Sequence, residues 1–491
     1  MLRWLSTILV LVLGFSPALS AEDDSSPKPM RDDPRVADAI TAWEMWIEYQ
    51  LAIERIPAAS IGIVHDQDLL AARGFGFANP ETGSPATVDT IYSICSISKL
   101  FTSVALMQLR EEGEVRLDAP VSDYLDWFTL QDAHPDDEDI TVRRLMSHSA
   151  GLPRESDYPY WSDPDFIFPT HDQIVDRLSA QQTLYPSSRY FQYSNLGLTL
   201  VGEIVVEVSG QDFDTRIHDE ILDPLGMVNT STDIPTEKWG QALAIGHTNL
   251  KRDGTRKPMA VFQANGIAPA AGFASTVPDL AEFAKWQFRL LSEDSTEIIR
   301  SSTLREMQRV QWMDPDWETT RGLGFGMWKS SGHVFVGHSG GCPGYYSQFL
   351  LVPKNNLGVI VLTSAIGSPV GFYAEKAADL LVPAIKAVEG SPDDAPERDP
   401  ELDRYVGVYD SSWSQSAVFH WQGGLGIMGL GTRNPGEAIY KLKKTGDHTF
   451  RRVRKDDGSL GEEFVFEVDE QGTVTRFSSH SNWMTKIRKL D

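Results

Sequence analysis

The spacing of apolar residues divides the chain into a helical start, a mixed middle and an end made of short strands. From Val36, "VADAITAWEMWIEYQLAIERI" carries apolar residues at helical intervals and predicts a helix. Two alternating stretches follow, "AASIGIVHD" (58–66) and "DLLAARGFGFAN" (68–79), and predict strands. "SKLFTSVALMQLREEGEV" predicts a long apolar helix that ends in a turn. Later, "YSQFLLVPKNNLGVIVLTSA" reads as two strands joined at Pro353-Lys354-Asn355-Asn356, and "GFYAEKAADLLVPAIKAV" as a helix. Strands at both ends with helices between them imply one sheet assembled from distant parts of the chain.

The segment 389–403, "EGSPDDAPERDPELD", is rich in proline and acid and predicts a linker. Beyond it, "YVGVYD", "SAVFHWQGGLGIMGL", "AIYKLKK", "HTFRRVR", "EEFVFEVD" and "TVTRFSS" are short strand candidates separated by turn residues, so 404–491 predicts a small all-β module, barrel or sandwich.

Composition adds limits. With 491 residues, two domains are the starting expectation. Residues 1–20, "MLRWLSTILVLVLGFSPALS", have a positive start, a short apolar run and small residues at a cleavage site, which predicts a signal peptide and export to the periplasm or medium. That run is too short for a stable membrane span. Residues 21–35 are polar and proline-punctuated and predict a disordered leader. Two cysteines exclude a disulfide framework, and a net charge of −25 argues against nucleic acid or an anionic membrane as partner.

Several motifs compete for the chemistry. Gly337-His338-Ser339-Gly340-Gly341 spells G-x-S-x-G, yet strand-like residues follow it where a nucleophile elbow needs a helix. Ser96-Ile97-Ser98-Lys99 is S-x-x-K at the start of an apolar helix, a spacing that puts Ser96 and Lys99 on one face. The helix N-terminus there favours a developing alkoxide, and nearby positive charge keeps Lys99 able to act as a base. Tyr193-Ser194-Asn195 precedes a second amphipathic helix. Lys444-Thr445-Gly446 lies in the β module and reads as a hairpin turn.

Taken together, these motifs resemble the serine β-lactamase and penicillin-binding-protein superfamily, in the branch of class C β-lactamases, D-alanyl-D-alanine carboxypeptidases, D-aminopeptidases and related esterases. The likeness runs from about Ile40 to Leu381 and includes "LMSHSAGLP", "ILDPLGMVNTS", "PAAGFASTVPDLAEFAKW" and "RGLGFGMW". It implies a mixed α/β catalytic domain over 36–388: an antiparallel sheet flanked by helices, with an all-helical lobe inserted between its strands. The β module, of lipocalin-like form in some relatives, would cap or border the cleft.

By the same resemblance, Ser96 is the acylated nucleophile, and Lys99 and Tyr193 share proton transfer. Asn195 binds substrate and Lys99. His338, Ser339 and Gly340 line the substrate strand, and Ser96 and Gly341 supply oxyanion N–H groups. His338 stands where many relatives have lysine, so a fixed charge for a substrate carboxylate is missing near neutral pH. His148 is given a structural role. Cys95 and Cys342 are brought into one neighbourhood, either bridged or as two buried thiols. The implied reaction is hydrolysis of a small peptide, amide or ester, with β-lactam hydrolysis or a non-catalytic binding role as alternatives, and it calls for no cofactor or metal.

Overall fold

The computed structural model describes residues 29–488 apart from 137, 163, 318 and 319; the expected signal peptide and most of the leader lie outside the described residues. The leader's last residues depart from the expectation. Met30–Asp32 form a 3-10 turn, and the first helix starts at Pro34 and runs to Ile53. Asp33 caps it by accepting the Arg35 N–H at 2.9 Å, and Pro34 needs no partner for a missing N–H.

The main sheet is antiparallel. Its described strands lie in the spatial order Ser84–Pro85, Asp68–Asn79, Ala58–His65, Leu357–Thr363, Tyr345–Val352, His333–Cys342, Gly326–Ser330, Thr320–Arg321 and Trp312–Met313. Register at its centre pairs Ala59 with Thr363 and Ile63 with Val359, joining the two ends of the catalytic part.

Ala58–His65 was expected to alternate, and instead seven of its eight residues are buried. Helices cover both faces of the sheet. On one side Ile61 and Ile63 pack into a core with Trp43, Trp46 and Ile47 of the first helix and with Tyr373 and Leu381 of the helix Val370–Gly390. On the other, Gly62 lies where an added Cβ would come within 2.5 Å of Val277 Cγ1, so only glycine lets the helix Val277–Ser292 approach this closely. The expected helical lobe is present between the strands and includes Val142–Met146, His171–Leu178, Asn195–Ser209 and Phe213–Ile217.

The C-terminal module is a closed barrel of eight strands. Sequence periodicity misses the last of them, Asn482–Arg488, which pairs with both Val474–Ser479 and Gly407–Asp410 and so closes the ring. The Lys444-Thr445-Gly446 segment ends a barrel strand, with Gly446 opposite Thr449 across the turn.

Among the described residues, none that lines the cleft comes from the barrel, which reaches toward it at Arg433, over Phe372, the neighbour of cleft residue Gly371. The barrel packs on the first helix and on Val370–Gly390, through Val408, Ala417, Phe419, Met428 and Leu430. Trp46 Nε1 donates to Thr432 O at 2.8 Å and Gln50 Nε2 to Leu430 O at 2.9 Å. The physical reason is in the first helix, whose apolar residues cover more than one face and demand burial on two sides. The helix Val370–Gly390 reaches two residues into the expected linker, and Arg398 within that segment pairs with buried Asp38 at 2.6 Å.

Candidate active site

The sequence places Ser96 and Lys99 in one helical turn, and the structure refines this. Ser96 sits in a 3-10 turn, Cys95–Ile97, directly ahead of the helix Ser98–Glu112, and Lys99 is that helix's second residue. The Ser98 hydroxyl turns back to Cys95 O and accepts the Phe273 N–H at 3.0 Å, which pins the turn.

Lys99 is fully buried. Its Nζ lies 3.1 Å from Ser96 Oγ, 2.8 Å from Asn195 Oδ1 and 2.6 Å from Ala270 O. Burial holds the ammonium well below the ordinary lysine range, with Glu155 opposing the shift and Arg154 adding to it. Burial is therefore the leading cause, ahead of the nearby positive charge that the sequence suggested. A neutral amine has two N–H donors and one lone pair. Asn195 Oδ1 and Ala270 O can only accept, so a neutral Lys99 would give its two N–H groups to them and leave its lone pair for the Ser96 hydroxyl, whereas an ammonium would donate to all three oxygens. The lowered pKa favours the neutral form, in which Lys99 could take the Ser96 proton.

Asn195 opens the helix Asn195–Ser209, which Ser194 caps by accepting the Gly197 N–H at 2.8 Å. Its Nδ2 donates to both carboxylate oxygens of Glu155, at 2.9 and 3.1 Å. With nitrogen toward a carboxylate, the amide oxygen must face Lys99. Asn195 is only 2 % exposed and is held between Lys99 at its amide oxygen and Glu155 at its amide nitrogen. Sequence reading missed Glu155, an acid on a loop with no periodic signal; it also accepts from the Tyr160 hydroxyl and pairs with Arg154 at 3.0 Å.

Tyr193 lines the cleft beside Ser96, its ring centroid 5.0 Å from Lys99 Nζ. Burial pushes its phenol up to about 12, against the effect of its hydrogen bond to Ser96, so it stays protonated at neutral pH. His148 accepts the Ser194 N–H at Nδ1, 3.1 Å, and its ring lies 4.4 Å from that of Tyr193, which fixes the loop carrying Tyr193.

The G-x-S-x-G stretch lies within the strand His333–Cys342, with no helix behind it. His338, Ser339 and Gly341 line the same cleft as Ser96 and Tyr193. His338 Nδ1 is 2.6 Å from Ser339 O, and burial, opposed by that contact, pushes the imidazole down to about 3, so it is neutral near pH 7. Gly340 is the point of closest approach: an added Cβ would stand 2.1 Å from Ile94 O and 2.3 Å from Ser347 Oγ. Gly340→Ala is expected to displace Gly341 from Ser96 and cut kcat by about 10²-fold, measured on an ester substrate against wild type. A kcat within about twofold of wild type would show that the strand's approach does not set the rate.

Other cleft residues that sequence reading missed are Arg154, Arg321, Trp328 and Glu375. Arg321 packs over Phe191, 4.7 Å from the ring centroid, and has no ion-pair partner within 4.0 Å among the described residues. Trp328 Nε1 donates to Glu375 at 2.8 Å. Among the described residues, no group of three or more His, Cys, Asp or Glu is placed to hold a metal.

Comparison with known proteins agrees with this geometry. Residues 43–383 match the Beta-lactamase family. Beta-lactamase-like protein 2 of Dictyostelium discoideum is 26 % identical over 388 residues, 77 % of this chain and 69 % of that protein. Penicillin-binding protein 4 of Amycolatopsis lactamdurans is 25 % identical over 349 residues, 69 % of this chain and 88 % of its own length. Among solved structures, the octameric penicillin-binding protein homologue from Pyrococcus abyssi superposes with a TM-score of 0.62 at 26 % identity. That match covers 91 % of this chain and 100 % of the other, a share that must reach into the barrel. A D-stereospecific amidohydrolase from Streptomyces sp. shares the fold at 22 % identity and a TM-score of 0.56, over 70 % of this chain and 98 % of its own.

Proposed function

The chain belongs to the beta-lactamase family of serine hydrolases, and on that premise we propose that it is an exported hydrolase that forms an acyl-enzyme on Ser96 and cleaves an amide, a D-amino-acid peptide or an ester bond. The observation that carries this reading is the buried Lys99, its pKa lowered by burial, with Nζ 3.1 Å from Ser96 Oγ.

Lys99 takes the Ser96 proton as Oγ attacks the carbonyl. Tyr193, protonated and beside Ser96 in the cleft, passes a proton toward the leaving group. The N–H groups of Ser96 and Gly341 receive the oxyanion; a single donor of this kind is typically worth ~10²–10³ in rate. Water then repeats the attack on the acyl-enzyme with the proton transfers reversed.

Neutral His338 offers no charge to a substrate carboxylate. Arg321, on the cleft wall with no ion-pair partner among the described residues, is the group suited to that task, which favours substrates with an anionic end over neutral esters. Export is supported by the signal-like residues 1–20 and by a disulfide between Cys95 and Cys342, a bond characteristic of oxidising compartments.

A fluorophosphonate probe followed by mass spectrometry tests the reading. One adduct is expected on Ser96, absent from Ser96→Ala and retained in Ser339→Ala. An adduct on Ser339, or one that persists in Ser96→Ala, would refute the assignment.

A further inference from the structure

Cys95 and Cys342 form a disulfide between positions 247 residues apart, with a Cα separation of 5.8 Å. Its place in the chain is what matters. Cys95 directly precedes Ser96, and Cys342 directly follows Gly341. These neighbours are the two proposed oxyanion donors. One belongs to a 3-10 turn ahead of a helix and the other to a sheet strand, so no single element of secondary structure fixes the distance between them.

Noncovalent ties run alongside the bridge: the Ser347 hydroxyl donates to Ile94 O at 2.9 Å, and Ser93 Oγ lies 3.2 Å from Cys342 Sγ. Cys95 itself has φ +52°, a left-handed conformation disfavoured for any residue with a Cβ. This twist sets the direction in which the Ser96 N–H leaves the chain, and the residue that holds it is covalently anchored to the strand opposite.

We propose that the Cys95–Cys342 disulfide is a positioning element of the reaction, locking the Ser96 and Gly341 N–H groups into one oxyanion-binding pair. The proposal rests on the acyl-enzyme reading above. Opening the bridge removes no group that touches substrate. It releases the two donors to move independently, which weakens binding of the charge that develops only in the transition state. The loss therefore falls on kcat, with KM nearly unchanged. A small dithiol supplies the two electrons and two protons that turn the bridge into two thiols, and leaves as its own disulfide. Both sulfurs are buried, Cys95 0 % and Cys342 5 % exposed, so reduction of the native protein is gradual and can be followed in time.

The test uses the full chain and a p-nitrophenyl ester, with rates expressed per site titrated to completion by fluorophosphonate, so loss of folded protein cannot imitate the effect. Thiols are counted by maleimide labelling and mass spectrometry. Reduction to two thiols per chain is expected to lower kcat by about 10- to 100-fold, less than loss of a whole donor, and to weaken a tetrahedral boronate inhibitor by the same factor. Reoxidation restores both, and the double variant Cys95→Ala/Cys342→Ala starts low and does not respond to dithiol. A fully reduced protein whose kcat per titrated site stays within about twofold of the oxidised value, or a double variant with wild-type kcat, overturns the proposal. Absence of any Ser96 adduct in the oxidised protein would instead overturn the acyl-enzyme reading beneath it.

Discussion

Lys99→Met lowers kcat/KM by about 10⁴-fold or more, the upper range for loss of a positioned general base, while Ser96 stays in place. The loss is large because Lys99 Nζ is the basic group in contact with Ser96 Oγ among the described residues, at 3.1 Å. Tyr193 is held protonated, with its phenol pushed up to about 12. His148 is occupied at Nδ1 by the Ser194 N–H. His338 has its Nδ1–H on Ser339 O and makes no hydrogen bond to Ser96 among the described residues. The pH profile gives the matching signature. Lys99 works only as the neutral amine, so activity falls as pH drops through its pKa. Burial has moved that pKa well below the usual lysine range, so the acid limb lies far below pH 10. The limb disappears from the residual activity of Lys99→Met and persists in His338→Ala. Stopped-flow or steady-state rates on one ester across pH separate these outcomes; an unchanged limb in Lys99→Met would assign it to another group.

The second large effect is on stability and lies far from the cleft. Phe419→Ala costs about 3–5 kcal/mol, the usual range for emptying a buried aromatic site, read as a lower urea midpoint. Phe419 is fully buried, on the outer face of the barrel against the first helix, while its neighbour Val418 points into the barrel core. Both faces of that strand are therefore packed. Trp413→Ala serves as the control: at 95 % exposure it should shift stability by less than about 0.5 kcal/mol. Because no described barrel residue lines the cleft, kcat of folded Phe419→Ala should match wild type. A midpoint unchanged in Phe419→Ala would mean that the barrel and catalytic part do not share a core.

Much of this architecture could be read from local pattern. The Ala58–His65 and Asp68–Asn79 strands, the helix after Ser96 and the strand pair around residues 353–356 all show their periodicity within a few residues. Ser96, Lys99, Tyr193 and the strand from His338 to Gly341 were legible because motif spacing encodes their local geometry. Glu155 and Arg321 were not, since each is an ordinary charged residue in a loop or a two-residue strand whose meaning depends on what folds against it. The closing barrel strand Asn482–Arg488 was missed because Trp483 and Ile487 are exposed and Met484 alone carries much of its inward face. The seat of the barrel left a readable trace in hindsight: Trp43, Met45, Trp46 and Ile47 spread over too much of the first helix's circumference for one-sided burial.

The order of strands in the main sheet also governs how the protein is made. Ala58–His65 leaves the ribosome next to Asp68–Asn79 and can form a hairpin at once, but its other edge pairs with Leu357–Thr363. At about 5–20 residues per second, that partner is synthesised roughly 15–60 s later. For this interval Ile61 and Ile63 stand beside an open row of backbone donors and acceptors, the kind of edge on which chains associate with one another. Synthesis speed and temperature during this window are therefore levers on how much of the chain reaches its native form.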